Sequence, residues 1–260
     1  MKRIESTSNA LVKHWKKLVL TRKERDKSKE FLVEGFHLVE EALKTKDAVL
    51  TIMKREDVEF PANWDLENIV VNEITKAVAK EISETEQSQG IYAHCRQTEY
   101  AEMAYANWTK LLFVDAVQDP GNVGTMIRTA DAAGMDAVII GKGSADPYSP
   151  KTIRSAQGSN FHIPIVRGDL NDWIQSAKEN AIQVIGTSLE ESVDYKEPTT
   201  NGKFALIVGN EGSGMSPELL KQTDVNVRIP IYGKAESLNV AVATGILLYT
   251  YSEKSTLNVE

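Results

Sequence analysis

Amide and carboxylate side chains follow an apolar run near the C-terminal end of this sequence. The run, residues 204–208, leads into the loop 209–214, which reads GNEGSG. Its three glycines permit positive φ and close approach of the backbone to a ligand, and Asn210 and Glu211 place an amide and a carboxylate at its lip. In open parallel sheets, ligands bind at the carboxyl ends of the strands. The loop is therefore a candidate binding site.

A second loop follows further along the chain. The run 225–231 alternates apolar and polar residues, a turn is predicted at 232–234, and Ser237-Leu238-Asn239 leads into an apolar helix predicted over 240–251. Ser237 has two open interpretations, as the N-cap of that helix or as a polar site residue. Glu211 is likewise either a solvated loop carboxylate or a site residue. Two such loops so close together in sequence indicate one pocket.

A third polar stretch lies earlier in the chain. An apolar strand over 111–117 is followed by QDPGNVG at 118–124, in which Pro and Gly predict a tight turn. A helix is predicted over 125–133, closed by a glycine at its C-terminal end. Asn122 either shapes the turn or serves a site, and Arg128 is either an exposed helix residue or a functional cation. The residues alone leave both alternatives open.

The charge of the chain is unevenly distributed. The net charge is −7, but residues 1–30 contain ten basic and four acidic residues, which gives +6 and leaves −13 for the rest. A solvated helix face explains this segment, and so does an arm that contacts phosphates, because phosphate contacts need only local positive charge. The ten basic residues are Lys2, Arg3, Lys13, Lys16, Lys17, Arg22, Lys23, Arg25, Lys27 and Lys29.

Cysteine, histidine and hydropathy patterns exclude several classes of protein. A single Cys95 excludes an internal disulfide, and the histidines at 14, 37, 94 and 162 lack ligand-like spacing, so we expect no metal. No run of eighteen apolar residues is found, and the N-terminal segment lacks the apolar centre of a signal peptide. We therefore expect a cytoplasmic protein without membrane contact.

The element pattern predicts an α/β protein with two domains. A basic helix is predicted from Ser8 or Asn9 to about Arg25, with an apolar stripe of Leu11, Trp15, Leu18 and Val19. Short strands and helices then complete a small α/β domain over 1–95. Residues 96–109 are polar and weakly patterned and are interpreted as a linker. Strands and helices alternate over 110–260, which indicates a parallel sheet covered on both faces.

Three ordered motifs carry a resemblance to a known family. DPGNVGTMIRTADAAG at 119–134, IVGNEGSGMS at 207–216 and IPIYGKAESLNVAVA at 229–243 resemble the motifs of the SpoU, or TrmH-type, branch of the SPOUT RNA methyltransferases. The segments FLVEGFHLVEEAL at 31–43 and QGIYA at 89–93 are similar to the small RNA substrate-binding domain found before that catalytic domain in many members.

The resemblance implies an S-adenosylmethionine-dependent RNA 2′-O-ribose methyltransferase that acts as a homodimer. It implies a C-terminal SPOUT domain with a deep trefoil knot, a feature that general topology rules would never suggest. The positions that match the family's cofactor-binding residues are Gly209, Asn210, Ile229 and Leu238. Those that match its catalytic residues are Arg128, Asn122, Glu211, Ser237 and Asn239.

A ribose hydroxyl is a poor nucleophile, so such a site must align it with a methyl donor and assist loss of its proton. Arg128 stays protonated, and we expect it to clamp a phosphate and stabilise developing alkoxide charge. Ribosomal RNA is favoured over transfer RNA because a separate substrate-binding domain is indicated. Two alternatives stay open: methylation of a base, and a non-catalytic RNA-binding or ribosome-assembly protein, which loss of Arg128, Asn122 or Asn239 would have indicated.

Overall fold

The computed structural model of the chain describes residues 1–100, 105 and 107–256. The described residues form two compact units, the first from 1–99 with 148–162, and the second from 100–147 with the residues that follow 162. Of the predicted linker 96–109, residues 101–104 and 106 lie outside the described residues. Within the described ranges, no helix combines the length and apolar character needed to cross a membrane.

The first unit is a five-stranded mixed sheet with helices on its faces. Its strand order is β1-β4-β3-β5-β2; β1, β4 and β3 run parallel to one another, whereas β5 is antiparallel to both β3 and β2. The elements from residues 1–99 are β1 Lys2–Ile4, α1 Ala10–Leu20, α2 Arg22–Ser28, β2 Glu30–Glu34, α3 Phe36–Lys44, β3 Val49–Arg55, β4 Val70–Ile74, α4 Lys76–Ile82 and β5 Ile91–Arg96.

The predicted basic helix is interrupted in the structure. The side chain of Asn9 caps α1 by accepting from the Leu11 N–H. Helix α1 ends at Leu20, and Thr21, whose φ of −130° is extended, separates it from α2. The buried stripe contains Val12 in place of Leu11, which is 43% exposed. The predicted stripe was wrong at this one position, because Val12 and Trp15 share the face that packs on the sheet.

Residues 148–162 contribute a helix, α6, Pro150–Ala156, to this unit. The ring of Tyr148 lies 4.9 Å from that of Phe31 between centroids, and Phe161 lies 5.7 Å from Phe31. The sequence assigns 148–162 to the domain 110–260, whereas the structure packs this segment with 1–99. Ser149 followed by Pro150 is a local signal for the start of a helix, but local patterning contains no information about which core the helix completes.

The second unit is a seven-stranded sheet with the order β10-β12-β9-β11-β6-β7-β8, and each described pairing in it is parallel. The predicted parallel α/β architecture is confirmed. The elements are β6 Lys110–Val114, α5 Pro120–Ala132, β7 Ala137–Ile140, β8 Ile165–Arg167, α7 Leu170–Glu179, β9 Gln183–Thr187, β10 Val193–Asp194, β11 Phe204–Val208, α8 Pro217–Leu220, β12 Val225–Arg228 and α9 Val240–Thr256.

The centre of this sheet is fully buried. All five residues of β11 are buried between β9 and β6, as expected for a strand covered on both faces. Side chains of Phe113, Ile139, Val184 and Ile207 belong to one apolar cluster with residues of α7 and α8. This rigid centre fixes the positions at which β9, β11 and β12 end, and the candidate site lies at those ends.

Candidate active site

A cavity of about 390 Å³ lies at the carboxyl ends of three neighbouring strands of the second unit. Thr187 ends β9, Gly209 follows β11 and Ile229 follows β12, and all three residues line the cavity. The loop before α9 and the first turns of α9 form another wall. The volume is in the range of small-molecule sites, and the position agrees with the general rule for parallel sheets.

The loop 209–214 is closed by its own backbone. Asn210 and Gly214 exchange two backbone hydrogen bonds of 2.9 and 3.0 Å, and the Asn210 Oδ1 accepts from the N–H groups of Gly212 and Ser213. A Cβ on Gly209 would lie 2.1 Å from the Met215 nitrogen, so only glycine fits here. The first glycine of the motif is therefore required by close backbone packing as well as by its place in the cavity.

Glu211 connects this loop to the start of α5. Its carboxylate accepts from the backbone N–H groups of Gln118 (3.1 Å) and Asp119 (3.0 Å) and from the Asn122 side-chain amide (3.0 Å). The Asn122 Oδ1 in turn accepts from the Asn239 amide at 3.0 Å. These five residues, here called the Glu211 cluster, join all three sequence motifs by hydrogen bonds.

The environment of Glu211 favours its ionised form. Partial burial by itself raises the pKa of the carboxyl group, but the hydrogen bonds from Asn122, Asp119 and Gln118 together outweigh burial and hold the pKa below its ordinary value. A carboxylate with a lowered pKa and three donors already bound is a weak base. The role that these contacts give Glu211 is to hold the loop 209–214 in a fixed position against the start of α5.

Asn122 lies in the first turn of α5, and Asn239 is the N-cap of α9. Asp119 is the N-cap of α5 and Pro120 occupies its first turn, so α5 begins five residues before the predicted start. Asn239 caps α9: its Oδ1 accepts from the N–H groups of Ala241 (2.9 Å) and Val242 (3.2 Å). Of the two interpretations of Ser237, the N-cap is wrong, because Asn239 stands immediately before the helix and caps it.

The structure brings eight of the nine predicted site residues together. Asn122 and Asn239 belong to the Glu211 cluster, and the cavity is lined by Gly209, Asn210, Glu211, Ile229, Ser237 and Leu238. Arg128 stands apart from them: it is exposed on α5, and within the described part of the chain no hydrogen bond or ion pair involves its guanidinium. Its side chain is free to meet a ligand from solvent.

Several cavity residues were not identified from the sequence. Thr187 ends β9 and Ser188 follows it, and the rule about carboxyl ends of strands, applied to this strand also, would have found them. Leu247 lies on the second turn of α9 and faces the same cavity. No local signal distinguishes it from the other apolar residues of that helix.

The cavity suits a ligand with a flat apolar part and polar ends. Ile229, Leu238 and Leu247 offer apolar surface, while Ser188, Asn210 and Ser237 offer polar groups on the lining. A nucleoside that carries an amino-acid chain has this composition. The residues present therefore fit S-adenosylmethionine, which the sequence resemblance implies.

Comparison with known proteins agrees with this interpretation. Residues 109–249 match the model of the SpoU rRNA Methylase family, and residues 9–93 match the MRM3-like substrate binding domain. The chain is 50% identical to the 23S rRNA (guanosine(2553)-2′-O)-methyltransferase RlmP of Bacillus subtilis (strain 168), over 96% of this chain and 98% of the relative.

Solved structures share the whole fold. The AdoMet-bound rRNA methyltransferase from Sinorhizobium meliloti is 32% identical with a TM-score of 0.85, covering 100% of this chain and 99% of that one. The SpoU methyltransferase AviRb from Streptomyces viridochromogenes, in complex with the cofactor AdoMet, is 27% identical with a TM-score of 0.85, covering 97% of this chain and 100% of that one.

The fold and the site together define an RNA 2′-O-ribose methyltransferase that takes its methyl group from S-adenosylmethionine. The chain belongs to the SpoU rRNA methylase family. The activity, the cofactor and the SPOUT class of fold expected from the three motifs are confirmed.

Proposed function

We propose that this protein methylates the ribose 2′-hydroxyl of a guanosine in 23S ribosomal RNA. The observation that carries this proposal is the 50% identity, over nearly the full length of both chains, to a relative named for that reaction. The domain match over residues 9–93 supports recognition of the RNA substrate by a separate domain. The protein is proposed to act in the cytoplasm, where such RNA is made.

The roles of the site residues follow from their geometry. S-adenosylmethionine supplies an electrophilic methyl group, which the ribose oxygen receives as its own proton departs. The Glu211 cluster holds the loop 209–214 against the start of α5 and so fixes the cavity wall. Arg128 is proposed to bind an RNA phosphate and to stabilise the developing alkoxide. The proton passes to a phosphate oxygen or to water, because a guanidinium does not accept it.

Mass spectrometry of nucleosides tests the reaction. Purified protein is incubated with isotopically labelled S-adenosylmethionine and with ribosomal or transfer RNA, beside Arg128→Ala and Arg128→Lys. We expect labelled 2′-O-methylguanosine in 23S RNA only, lost by about 1000-fold or more with Arg128→Ala. Arg128→Lys keeps the charge but loses the planar fork, so we expect it to stay strongly impaired.

Other outcomes each overturn a stated part of the proposal. Label in transfer RNA contradicts the ribosomal substrate, and label on a base contradicts ribose methylation. Near-normal turnover by Arg128→Lys rejects the clamp. Cofactor binding without label in ribosomal RNA, either free or in assembling particles, favours the non-catalytic RNA-binding alternative.

We further propose that the basic segment of the first unit binds RNA. Arg25 is buried and donates to main-chain oxygens at the end of α1, while Arg3 and Lys16 form ion pairs with Glu73 and Glu81, among others. Six lysines are exposed and, in the described residues, form no ion pair; they are Lys2, Lys13, Lys17, Lys23, Lys27 and Lys29. This charge supports the phosphate-contact interpretation.

The RNA-binding proposal is tested in the full-length chain. Deletion of residues 1–95 would remove the packing partners of 148–162, so a loss of RNA binding could not be distinguished from a loss of folding. Lys13→Glu with Lys17→Glu reverses two charges on α1, and we expect about tenfold weaker RNA binding with a shallower salt dependence. Affinity for S-adenosylmethionine should not change. Lys203→Glu, an exposed site at the amino end of β11, is the matched control; equal losses in both variants contradict the proposal.

A homodimer is proposed from the family resemblance. Exposed apolar side chains on α9, Val242 (54%) and Tyr249 (48%), support it because they lie seven residues apart on one helix face. Light scattering at micromolar concentration should give the mass of a dimer, and Val242→Glu should shift it toward the monomer. A wild-type monomer contradicts this proposal and weakens the expected site model.

We also propose two features of the chain's organisation. One is the deep C-terminal trefoil knot, supported by the full-length similarity to SPOUT-type structures. The other is the assignment of 1–95 to substrate binding, 96–109 to a linker and 110–260 to methyl transfer, with the difference noted above for 148–162. An experimental trace of the chain, in complex with RNA and cofactor, tests both.

A further inference from the structure

Three elements of the first unit bring two histidines to one carboxylate oxygen. The Oε2 atom of Glu30 on β2 lies 2.7 Å from His14 Nε2 on α1 and 3.0 Å from His94 Nε2 on β5. Because Leu32 is the strand partner of His94, Glu30 lies diagonally across from His94 on the same face of the sheet. No spacing rule could find this group, since its members lie on a helix and two strands.

We propose that His14 Nε2, Glu30 Oε2 and His94 Nε2 bind a divalent transition metal, with zinc as the first choice. Two imidazoles and one carboxylate form an established ligand set for zinc, and a water or another ligand completes the tetrahedron. The site is separate from the methyl-transfer cavity and independent of the proposed RNA target. It goes beyond the sequence expectation of no metal.

His14 places its two ring nitrogens against two different carboxylates. Its Nδ1 lies 3.2 Å from Glu24 Oε1, while its Nε2 faces Glu30. A neutral imidazole has only one N–H, so it cannot donate to both carboxylates. When Nδ1–H donates to Glu24, Nε2 presents a lone pair toward Glu30, and a metal ion bound there would offset the charge of both carboxylates. His94 adds a second nitrogen lone pair to the same point, which favours the metal.

The distances allow coordination after small movements. The three candidate ligand atoms lie within 4.8 Å of one another. Ligands at about 2.1 Å from a tetrahedral zinc ion lie about 3.4 Å apart, so the side chains must separate by roughly half an ångström. The two imidazole rings have centroids 5.4 Å apart and an angle of 70° between their planes, so both can direct Nε2 to a common point without stacking.

Surrounding groups also suit a metal. Glu24 would orient the His14 ring through Nδ1–H, as carboxylates do behind zinc-bound histidines. Burial lowers the pKa of His94, which favours the neutral ligand form. His162 also contacts a carboxylate, Glu41, at 2.9 Å, but Lys44 Nζ occupies that carboxylate at 2.8 Å and puts a positive charge where a metal would need to be. His162 is therefore a matched control within the same unit.

A bound metal would fix α1 to β2 and β5. This places a structural ion behind the basic helix that we propose contacts RNA. A metal that binds only the folded unit raises its stability by mass action. We therefore expect the melting temperature of the full-length chain to rise with zinc concentration and to return to its metal-free value with a chelator.

The test uses the untagged full-length chain after removal of metals with a chelator. Zinc alone is titrated in competition with a chromogenic chelator, and Co²⁺ is added separately to record the absorption bands of a tetrahedral site. We expect one equivalent of zinc per chain. His14→Gln and Glu30→Gln should weaken zinc binding by about 100-fold, and Glu24→Gln by about tenfold through loss of ring orientation. His162→Gln should bind zinc as the wild type does.

The His14 side chain is 27% exposed, so His14→Gln is expected to fold, and circular dichroism verifies this. His94 is more deeply buried, and His94→Gln serves as a second variant. No zinc binding in the micromolar range, binding that survives His14→Gln in the folded protein, or equal loss with His162→Gln each overturns the proposal. In those cases the group is a hydrogen-bonded bridge only.

Discussion

Glu30 and Glu211 are both glutamates, but their carboxylates contact different kinds of group. Glu211 accepts from two backbone N–H groups and one side-chain amide, none of which changes its charge near neutral pH. The Oε2 atom of Glu30 faces the Nε2 atoms of two imidazoles, which are common metal ligands. Hydrogen bonds from amides make a carboxylate a fixed part of the framework, whereas imidazole partners make it responsive to ions. The groups that contact each carboxylate therefore decide whether it has a structural or an ion-binding role.

The largest expected effect comes from the backbone of the loop 209–214, which carries Glu211. A side chain added at Gly209 should disrupt this loop. Gly209→Ala places a Cβ 2.1 Å from the Met215 nitrogen and 2.2 Å from the Gly214 carbonyl carbon, neither of which can move away alone. We expect a loss of about 3 kcal/mol or more in unfolding free energy and no measurable cofactor binding. Gly212→Ala is the control, because its Cβ meets only Asn210 Oδ1 at 3.7 Å. Calorimetry with and without cofactor measures both; equal effects would show that the loop is not held by close packing.

Removal of the Glu211 side chain should lower the rate of methyl transfer strongly and the free energy of unfolding only slightly. In Glu211→Ala the donors at Gln118, Asp119 and Asn122 lose their acceptor but can reach water, so we expect only about 1 kcal/mol of destabilisation. Methyl transfer should fall by about 100-fold because the cavity wall is no longer fixed. Glu30→Gln should leave cofactor affinity and turnover on a small RNA fragment unchanged. Equal loss of turnover in both variants would remove the distinction between the clusters.

Helix capping gives a smaller test of the same cluster. Asn239→Ala removes the cap of α9 and the amide that bonds Asn122, and we expect it to cost about 1 kcal/mol of stability. Ser237→Ala should stay within about 0.5 kcal/mol, because Ser237 does not cap the helix. Urea unfolding of the two variants beside wild type measures the difference. A larger effect for Ser237→Ala contradicts the observed cap.

The smallest expected effect is the acid dependence of Glu211. Its pKa in the folded chain is below the ordinary value of 4.5. The stabilisation by the carboxylate is therefore complete above that ordinary value and is lost as pH falls through the lower folded value. The stability difference between wild type and Glu211→Gln should be constant from pH 7 to 5 and shrink in more acidic solution. A difference that already changes between pH 7 and 6 would contradict ionisation of Glu211 as its cause.

Much of the second unit was predictable because its signals are local. A buried strand followed by a glycine loop is visible at 204–214, and alternating elements indicated the parallel sheet. The pairing of Asp119 as cap with Pro120 in the first turn is also a local signal, but it was overlooked in favour of a turn. The resemblance identified the residues that the fold then gathers. Only Arg128 is not gathered, because its proposed ligand comes from outside the chain.

The first unit was harder to predict because its determinants are distant in sequence. Strand β1 has three residues and two of them are charged and exposed, so no alternation marks it. The break at Thr21 involves neither glycine nor proline. The contacts of His14 with Glu30, and of Tyr148 with Phe31, join elements whose pairing follows only from the complete topology. Pattern reasoning identifies elements but does not say which of them meet.

The discontinuous first unit has a consequence for how the chain is made. During synthesis residues 1–99 emerge first, but Phe31 obtains its aromatic neighbours Tyr148 and Phe161 only after some sixty further residues have been added. At about 5–20 residues per second this delay is roughly 3 to 12 s. Throughout that interval the nascent unit displays an uncovered apolar face beside strands that are already able to pair. The timing of translation, and any chaperone that reaches this face, thereby becomes part of how the protein acquires its fold.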